Sequence, residues 1–349
     1  MRVTQKIRIY PFGLPSVLKT DNMVRFGIIG TNNISDWFIA GAKMDPRFTI
    51  SCVYSRTREK GTAFAAKYGV EKVFTTFEQM LEHIDAVYIA TPNYIHAEQS
   101  LFFLRNGKAV LCEKPLCSNA REGRMVIEQA KKYGVPFMEA MISTLNPNFL
   151  ELRERLPQIG RIRKYFSSYC QYSSRYDKYK SGIIENAFKR ELSNGALVDI
   201  GIYTIYPMVV LFGRPVSIKA VGTKLETGVD AQGTVVFEYG NGMEATVVYS
   251  KVADSYLPTE VQGEEGTLYM EKINIPRTLT LRQRGGNPID VSPAHCGNDY
   301  FSEARDFMDM IEKKQIEHEI NSFENSIITL EIMDEIRRQV GVEYPADIM

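Results

Sequence analysis

The stretch Val24-Arg25-Phe26-Gly27-Ile28-Ile29-Gly30-Thr31-Asn32-Asn33-Ile34-Ser35 decides how this 349-residue chain folds. A mostly apolar run ends at Gly30, polar residues follow, and Trp37, Phe38, Ile39 and Ala42 then lead a helical pattern towards Met44. That order predicts a strand, a tight turn and a helix. A glycine at the end of such a strand lets backbone amides approach an anion at the helix N-terminus, where the helix dipole favours negative charge. The consensus G-x-G-x-x-G/A reads Gly30, Asn32 and Ser35, so only the first glycine is kept. Asn tolerates left-handed backbone angles better than other side chains, and Ser is nearly as small as Ala. Gly30, Thr31, Asn32, Asn33 and Ile34 are therefore candidate pyrophosphate-binding residues. An ordinary strand-to-helix turn is the competing reading.

Outward from this turn the alternation continues. Strands are expected at Phe48 to Tyr54, Ala86 to Ala90, Ala109 to Cys112 and Val135 to Met138. Helices are expected at Glu59 to Tyr68, Phe77 to Glu82, His96 to Asn106 and Ala120 to Tyr133. Such βα repeats imply a mostly parallel sheet with helices on both faces.

After about residue 142 longer β segments take over: Ile162 to Tyr172, Val216 to Val221, Gly233 to Tyr239, Glu244 to Val248 and Thr267 to Met270. Tyr239-Gly240-Asn241-Gly242 between two of them is a hairpin signal. Helices at Ala196 to Leu211, Tyr300 to Lys313 and Phe323 to Gln339 are expected to cover one face of the resulting sheet. The fold class is thus α/β: an N-terminal Rossmann-type doubly wound parallel sheet, then an α+β domain with a large, open, mostly antiparallel sheet. The boundaries read as a loose extension over 1–22, a dinucleotide-binding domain over 23–142 and a substrate-binding and oligomerisation domain over 143–349. Met23 directly precedes the first strand and is an alternative start.

Composition narrows the partners. Lys and Arg number 42 and Asp and Glu number 42, which leaves no global field to attract nucleic acid or anionic lipid. No apolar run is expected to reach the roughly 20 residues of a membrane span. The cysteines Cys52, Cys112, Cys117, Cys170 and Cys296 are an odd, scattered set, which indicates neither a disulfide framework nor a zinc site and fits a reducing cytoplasm. The four histidines include no i, i+4 pair, so no metal is expected.

Three further segments carry chemistry. At the end of the second strand, where an acidic residue would hold a ribose 2′-hydroxyl, the chain has Ser55-Arg56-Thr57-Arg58. A hydroxyl followed by guanidinium groups suits a 2′-phosphate and points to NADP, with NAD possible. Thr91-Pro92-Asn93, with His96 beyond it, and Cys112-Glu113-Lys114-Pro115 each follow an expected strand of the parallel sheet. Both therefore fall at the carboxyl edge where a dinucleotide lies. Asp199 and Tyr203, four apart on an expected helix, share a face and can converge on one ligand atom. A tyrosine-rich stretch, Tyr165 to Tyr179, reads first as a packing face and second as a sugar-binding surface.

These motifs, together with Glu139-Ala140-Met141 and Gly195-Ala196-Leu197-Val198-Asp199-Ile200-Gly201-Ile202-Tyr203, resemble the glucose-fructose oxidoreductase / inositol dehydrogenase / rhizopine-catabolism (Gfo/Idh/MocA) family. Tyr203, where many members carry His, is similar to the dihydrodiol dehydrogenase-like branch. The resemblance implies a hydride-transfer oxidoreductase acting on a carbinol or carbonyl of a sugar, cyclic polyol or dihydrodiol, with its substrate cleft between the two domains. It implies Lys114 and Tyr203 as the acid/base pair, with Asp199 orienting the substrate. Thr91, Pro92, Asn93, His96, Glu113 and Lys114 would line the cofactor. It also implies a homodimer or homotetramer through the second sheet. A catalytically silent dinucleotide-binding sensor of the same fold is the alternative.

Overall fold

A computed structural model describes residues 23–348 other than Cys296. The stretch 1–22, read as a loose extension, lies outside the described residues.

The first unit runs β1 (Val24–Ile29), α1 (Asn33–Ala42), β2 (Phe48–Tyr54), α2 (Arg58–Ala66), β3 (Val73–Phe74), β4 (Ala86–Ile89), α3 (His96–Arg105), β5 (Ala109–Glu113), α4 (Ala120–Tyr133) and β6 (Phe137–Ala140). The strands are all parallel, in the order β3-β2-β1-β4-β5-β6. This is the doubly wound arrangement expected from the sequence, and its order reverses between β1 and β4, where a crevice opens at the carboxyl ends. β1, β4 and β5 read as apolar runs because helices cover both sheet faces: Phe26, Ile28, Val87, Tyr88 and Leu111 are wholly buried. The two-residue β3 was not legible as a strand. The segment expected as a helix at Phe77 to Glu82 is a 3₁₀ stretch, Glu78–His83.

The second unit adds α5 (Pro147–Arg155), β7 (Ile162–Cys170), α6 (Tyr176–Lys180), α7 (Ile202–Phe212), β8 (Ser217–Lys224), β9 (Asp230–Glu238), β10 (Glu244–Ser250), β11 (Thr259–Gly263), β12 (Gly266–Met270), β13 (Thr280–Gln283) and β14 (Ile289–Asp290). It is followed by α8 (Phe301–Glu312), α9 (Phe323–Val340) and α10 (Pro345–Ile348). Its eight strands lie in the order β14-β13-β12-β11-β7-β10-β9-β8. All neighbours are antiparallel except β7 and β10, which lie side by side in the same direction. The Tyr239 to Gly242 turn joins β9 to β10 as its sequence predicts, with Gly242 at φ 81°.

Two expectations about helices need correction. α7 and α9 cover the second sheet, but α8 packs on α1 of the first unit. The reason lies in its apolar face: Ala304, Phe307 and Met308 are fully buried, and the Phe307 ring centre is 6.1 Å from that of Phe26 in β1. Burying a side chain of that size contributes roughly 1.5–3 kcal/mol. The chain thus returns to complete its first unit after finishing its second. Secondly, the helical stretch 190–212 is apolar and long enough to cross a membrane, contrary to expectation. Its most apolar 18-residue window is 72% buried, and its helical part, from Leu197, lies between the second sheet and α9.

Candidate active site

The loops following β1, β4 and β5 meet at the crevice. The β1 turn is a backbone-determined structure. Gly30 has φ +114°, and a Cβ there would lie 2.2 Å from the Ala90 carbonyl oxygen, so the close approach of β1 to the end of β4 requires glycine. Asn32 is extended (φ −121°), not left-handed, so its tolerance there has a different cause from the one expected. Its side-chain oxygen accepts from the Ile34 and Ser35 amides at 2.9 and 3.2 Å, and its amide donates to the Ala90 carbonyl at 2.7 Å. Asn32 is therefore the N-cap of α1. Ser35 is buried and donates to the Gly30 carbonyl at 2.7 Å, closing the turn. Thr31 and Ile34 are half-buried and Asn33 is exposed on the rim. A turn held open by glycine at a helix N-terminus fits a dinucleotide pyrophosphate. At the end of β2, Ser55 is buried, while Arg56 and Arg58 are exposed and form no ion pair with the described residues.

The Thr91-Pro92-Asn93 loop follows β4. Asn93 reaches across to the second unit, donating to the Ser193 carbonyl at 2.8 Å and to the Asn194 side chain at 3.0 Å. His96 is enclosed, with 1% exposure. One ring nitrogen lies 2.9 Å from the Pro115 carbonyl and the other 2.8 Å from the Thr91 carbonyl. Burial lowers its imidazole pKa, against the two carbonyls, which favour the protonated ring. His96 ties the β4 and β5 loops together from behind, and its expected place lining the cofactor becomes a supporting one.

The Glu113-Lys114-Pro115 loop follows β5. Glu113 accepts from the Tyr88 hydroxyl at 2.5 Å and the Lys114 amide at 3.3 Å, and burial pushes its carboxyl up. Glu139 at the end of β6 braces the same loop: it accepts from the Leu116 amide at 2.8 Å and from Ser326 of α9 at 2.6 Å. Burial raises Glu139 to about 7.

The Lys114 ammonium leaves this loop and crosses to the second unit. It donates to the Asp199 carbonyl oxygen at 2.7 Å and to the Asp199 carboxylate at 3.2 Å, and lies 5.0 Å from the centre of the Tyr203 ring. The sequence-predicted trio of Lys114, Asp199 and Tyr203 is thereby brought together. The helix beneath it is not the plain α-helix expected. It begins with a π-helical turn, Leu197–Gly201, and becomes α only from Ile202. Asp230 of β9 accepts from the Leu197 amide at 2.6 Å and so caps this turn. Gly201 lets the turn lie against β10, since a Cβ there would sit 3.1 Å from the Tyr249 ring.

Several residues of the site escaped the sequence reading. Lys251, just past the end of β10, is ion-paired with the other Asp199 carboxylate oxygen, and its side chain is only 5% exposed. Tyr169 of β7 packs edge-on against Tyr203, ring centres 5.7 Å apart. Of the tyrosine stretch, Tyr165 is core, Tyr169 joins the site, and Tyr172, Tyr176 and Tyr179 pack around α6. Glu303 of α8 is wholly buried and neither of its oxygens has a partner; burial, then the nearby Glu113, push its carboxyl well above the ordinary range. Only Tyr169 carried a local signal, through its tyrosine-rich strand.

Electrostatics separates the Asp199 carboxyl from the Tyr203 phenol. Burial favours a neutral Asp199, but Lys251 and Lys114 outweigh it and hold the carboxyl well below the usual range. Tyr203 moves the other way: burial, then Glu113, Tyr169, Asp199 and Glu303, raise its phenol well above 10. The structure thus contains a fixed carboxylate beside a protonated phenol. Tyr203 is half-buried and its hydroxyl makes no hydrogen bond to a described residue.

A doubly wound nucleotide-binding unit whose crevice holds a lysine, a carboxylate and a phenol, the last two carried by a second, sheet-based unit, defines a Rossmann-type oxidoreductase. The chain belongs to the Gfo/Idh/MocA oxidoreductase family: residues 24–141 match its oxidoreductase domain with NAD-binding Rossmann fold, and residues 149–269 its C-terminal domain. It is 46% identical over 327 residues to scyllo-inositol 2-dehydrogenase (NADP(+)) IolU of Bacillus subtilis (strain 168), covering 93% of this chain and 99% of that one. Trans-1,2-dihydrobenzene-1,2-diol dehydrogenase of Mus musculus is 28% identical over 340 residues, covering 93% and 99%. A 3-ketoreductase from Actinomadura kijaniata, solved with NADP and TDP-benzene, shares the fold with a TM-score of 0.80 at 23% identity, covering 91% and 98%.

Proposed function

We propose that the protein is an NADP-dependent dehydrogenase or reductase of secondary alcohols and ketones in a cyclic polyol, sugar or dihydrodiol. The observation that carries this reading is the meeting of Lys114, Asp199 and Tyr203 at the carboxyl edge of the parallel sheet. The family kinship and the cofactor and substrate in the name of the Bacillus relative support it. Gly30, Thr31, Asn33 and the α1 N-terminus would hold the pyrophosphate, and Ser55 with Arg56 the 2′-phosphate. A bound nicotinamide would supply the hydride acceptor or donor at C4.

The protein's own groups divide the remaining work. Tyr203, with its hydroxyl free of protein partners, exchanges a proton with the substrate oxygen as hydride moves. As a protonated phenol it is set to donate to a carbonyl; in the opposite direction it must first lose its proton. Lys114 orients the same oxygen and opposes charge developing on it. Asp199 stays ionised and accepts from a neighbouring hydroxyl, which selects a polyhydroxy ring and fixes its register. The second sheet leaves Val221 and Val236 exposed on β8 and β9, which supports a homodimer or homotetramer formed through it. Four free cysteines among the described residues, three of them buried, agree with a reducing compartment such as the cytoplasm.

A second reading, a silent dinucleotide-binding sensor, has one observation in its favour: the Asn32 side chain takes up two amides of the α1 N-terminus. Nicotinamide fluorescence titration with NADPH and NADH, followed by a screen of inositols and sugars for absorbance change, separates the readings. Turnover is expected. Lys114→Ala should lower kcat/KM about 10³-fold and Tyr203→Phe at least about 10²-fold. Near-wild-type rates in either variant would remove the mechanism, and NADPH binding without any turnover would favour the sensor.

A further inference from the structure

A lysine beside a phenol eases loss of the phenolic proton only if its charge is not cancelled. Lys114 is partnered by the Asp199 carboxylate at 3.2 Å, so that pair alone is neutral towards Tyr203. The groups that press the proton onto Tyr203 come from every element around it. They are Glu113 at the end of β5, Tyr169 of β7, Asp199 on its own helix, and Glu303 of α8. Tyr300, which precedes α8, is a further neutral phenol coupled to it. Two cations, Lys114 and Lys251, are both paired with Asp199.

Lys251 is placed with care by the fold. Its backbone amide donates to the Ala231 carbonyl at 2.9 Å, and its carbonyl accepts from the Ser173 amide at 2.9 Å. Its stem is buried and its ammonium lies 5.7 Å from the centre of the Phe188 ring. It faces Asp199 and, more distantly, Asp230, whose carboxyl burial raises to about 6. A buried ammonium is costly unless it is paired, and Lys251 shares its one close partner with Lys114. Two ammoniums on one carboxylate leave a surplus of one positive charge.

We propose that Lys251 is a positioning residue of the site: it clamps Asp199 and restores to the Lys114–Asp199 pair the net positive charge that lets Tyr203 give up its proton. This rests on the function proposed above. It assigns the oxidative direction a cation that no local motif marks. An alcohol's proton passes to the Tyr203 phenolate as its hydride leaves, and Lys251 sets the pH at which that phenolate is available.

The test reads Tyr203 directly. Phenolate absorbance of the NADP-saturated protein is titrated to pH 11, as the difference between each protein and the same protein carrying Tyr203→Phe. Lys251→Met should move the Tyr203 midpoint up by about one pH unit or more, a tenfold loss of phenolate at fixed pH. Lys251→Arg, which keeps the charge, should leave it near the wild-type value. The alkaline limb of kcat/KM for polyol oxidation should follow the same order. Should the methionine variant lose its thermal transition, Lys251→Gln, a polar side chain without charge, takes its place. An unchanged phenolate fraction at fixed alkaline pH in the uncharged variants, or an equal loss in Lys251→Arg, would overturn the proposal. Absence of turnover with every polyol would instead count against the proposed activity, and the titration would still be readable.

Discussion

The two sides of the crevice are built on different principles. On the parallel-sheet side, the proposed recognition is carried largely by backbone: a glycine at φ +114°, the N-terminus of α1, and loops at strand ends. On the side of the second unit it is carried by side chains, because Asp199, Tyr203, Tyr169 and Lys251 come from a helix and two strands separated in sequence. Lys114 and Asn93 both cross between them. The difference suits the ligands. A dinucleotide is a constant object, well served by fixed amides, whereas a substrate is chosen by exchangeable side chains on a sturdy sheet.

That contrast can be broken most severely at Gly30. Gly30→Ala places a Cβ against the Ala90 carbonyl at a left-handed backbone position. A loss of about 2–4 kcal/mol in stability is expected, together with loss of NADPH binding. Thermal unfolding and fluorescence titration check both, and a variant that keeps its Tm and its NADPH affinity would show that the turn is not backbone-determined.

Glu139 probes the brace behind the lysine loop. Its folded value of about 7 stands above its ordinary 4.5, so the folded state holds the extra proton. Stability should therefore fall as pH rises from about 4.5 through 7, by at most about 3 kcal/mol, with the full penalty present above that range. Glu139→Gln should remove this share of the slope. Its loss of the Ser326 acceptor adds only a constant offset. Unfolding free energies at pH 5 and 8 for both proteins check it, and parallel slopes would refute the assignment.

The smallest expected effect lies at the exposed rim. Arg56→Ala should weaken NADPH binding about tenfold, near 1.4 kcal/mol, and leave NADH nearly unchanged. An equal effect on both cofactors would place the 2′-phosphate elsewhere.

Much of the fold was legible because its signals are local. Strand and helix periods, the Gly30 turn and the Tyr239 to Gly242 hairpin each follow from neighbouring residues. So did the pairing of Asp199 with Tyr203, since a spacing of four shares a face in α- and π-type turns alike. The destination of α8 was misread because an amphipathic helix declares that it has an apolar face and not which sheet will receive it. His96 is hard to place from sequence for a related reason: a histidine at the start of a helix looks the same whether it lines a ligand or lies against two carbonyls behind the loop.

By itself the sequence determined the two-unit α/β architecture and, through short motifs, the family, whose resemblance pointed to the lysine, aspartate and tyrosine of the candidate site. Only the tertiary structure decided that Lys251 completes the charge on Asp199, that Tyr169 backs Tyr203, and that Glu303 is sealed unpaired nearby. Those meetings depend on strand register and on the docking of one unit against the other, which bring together residues whose separation along the chain carries no period.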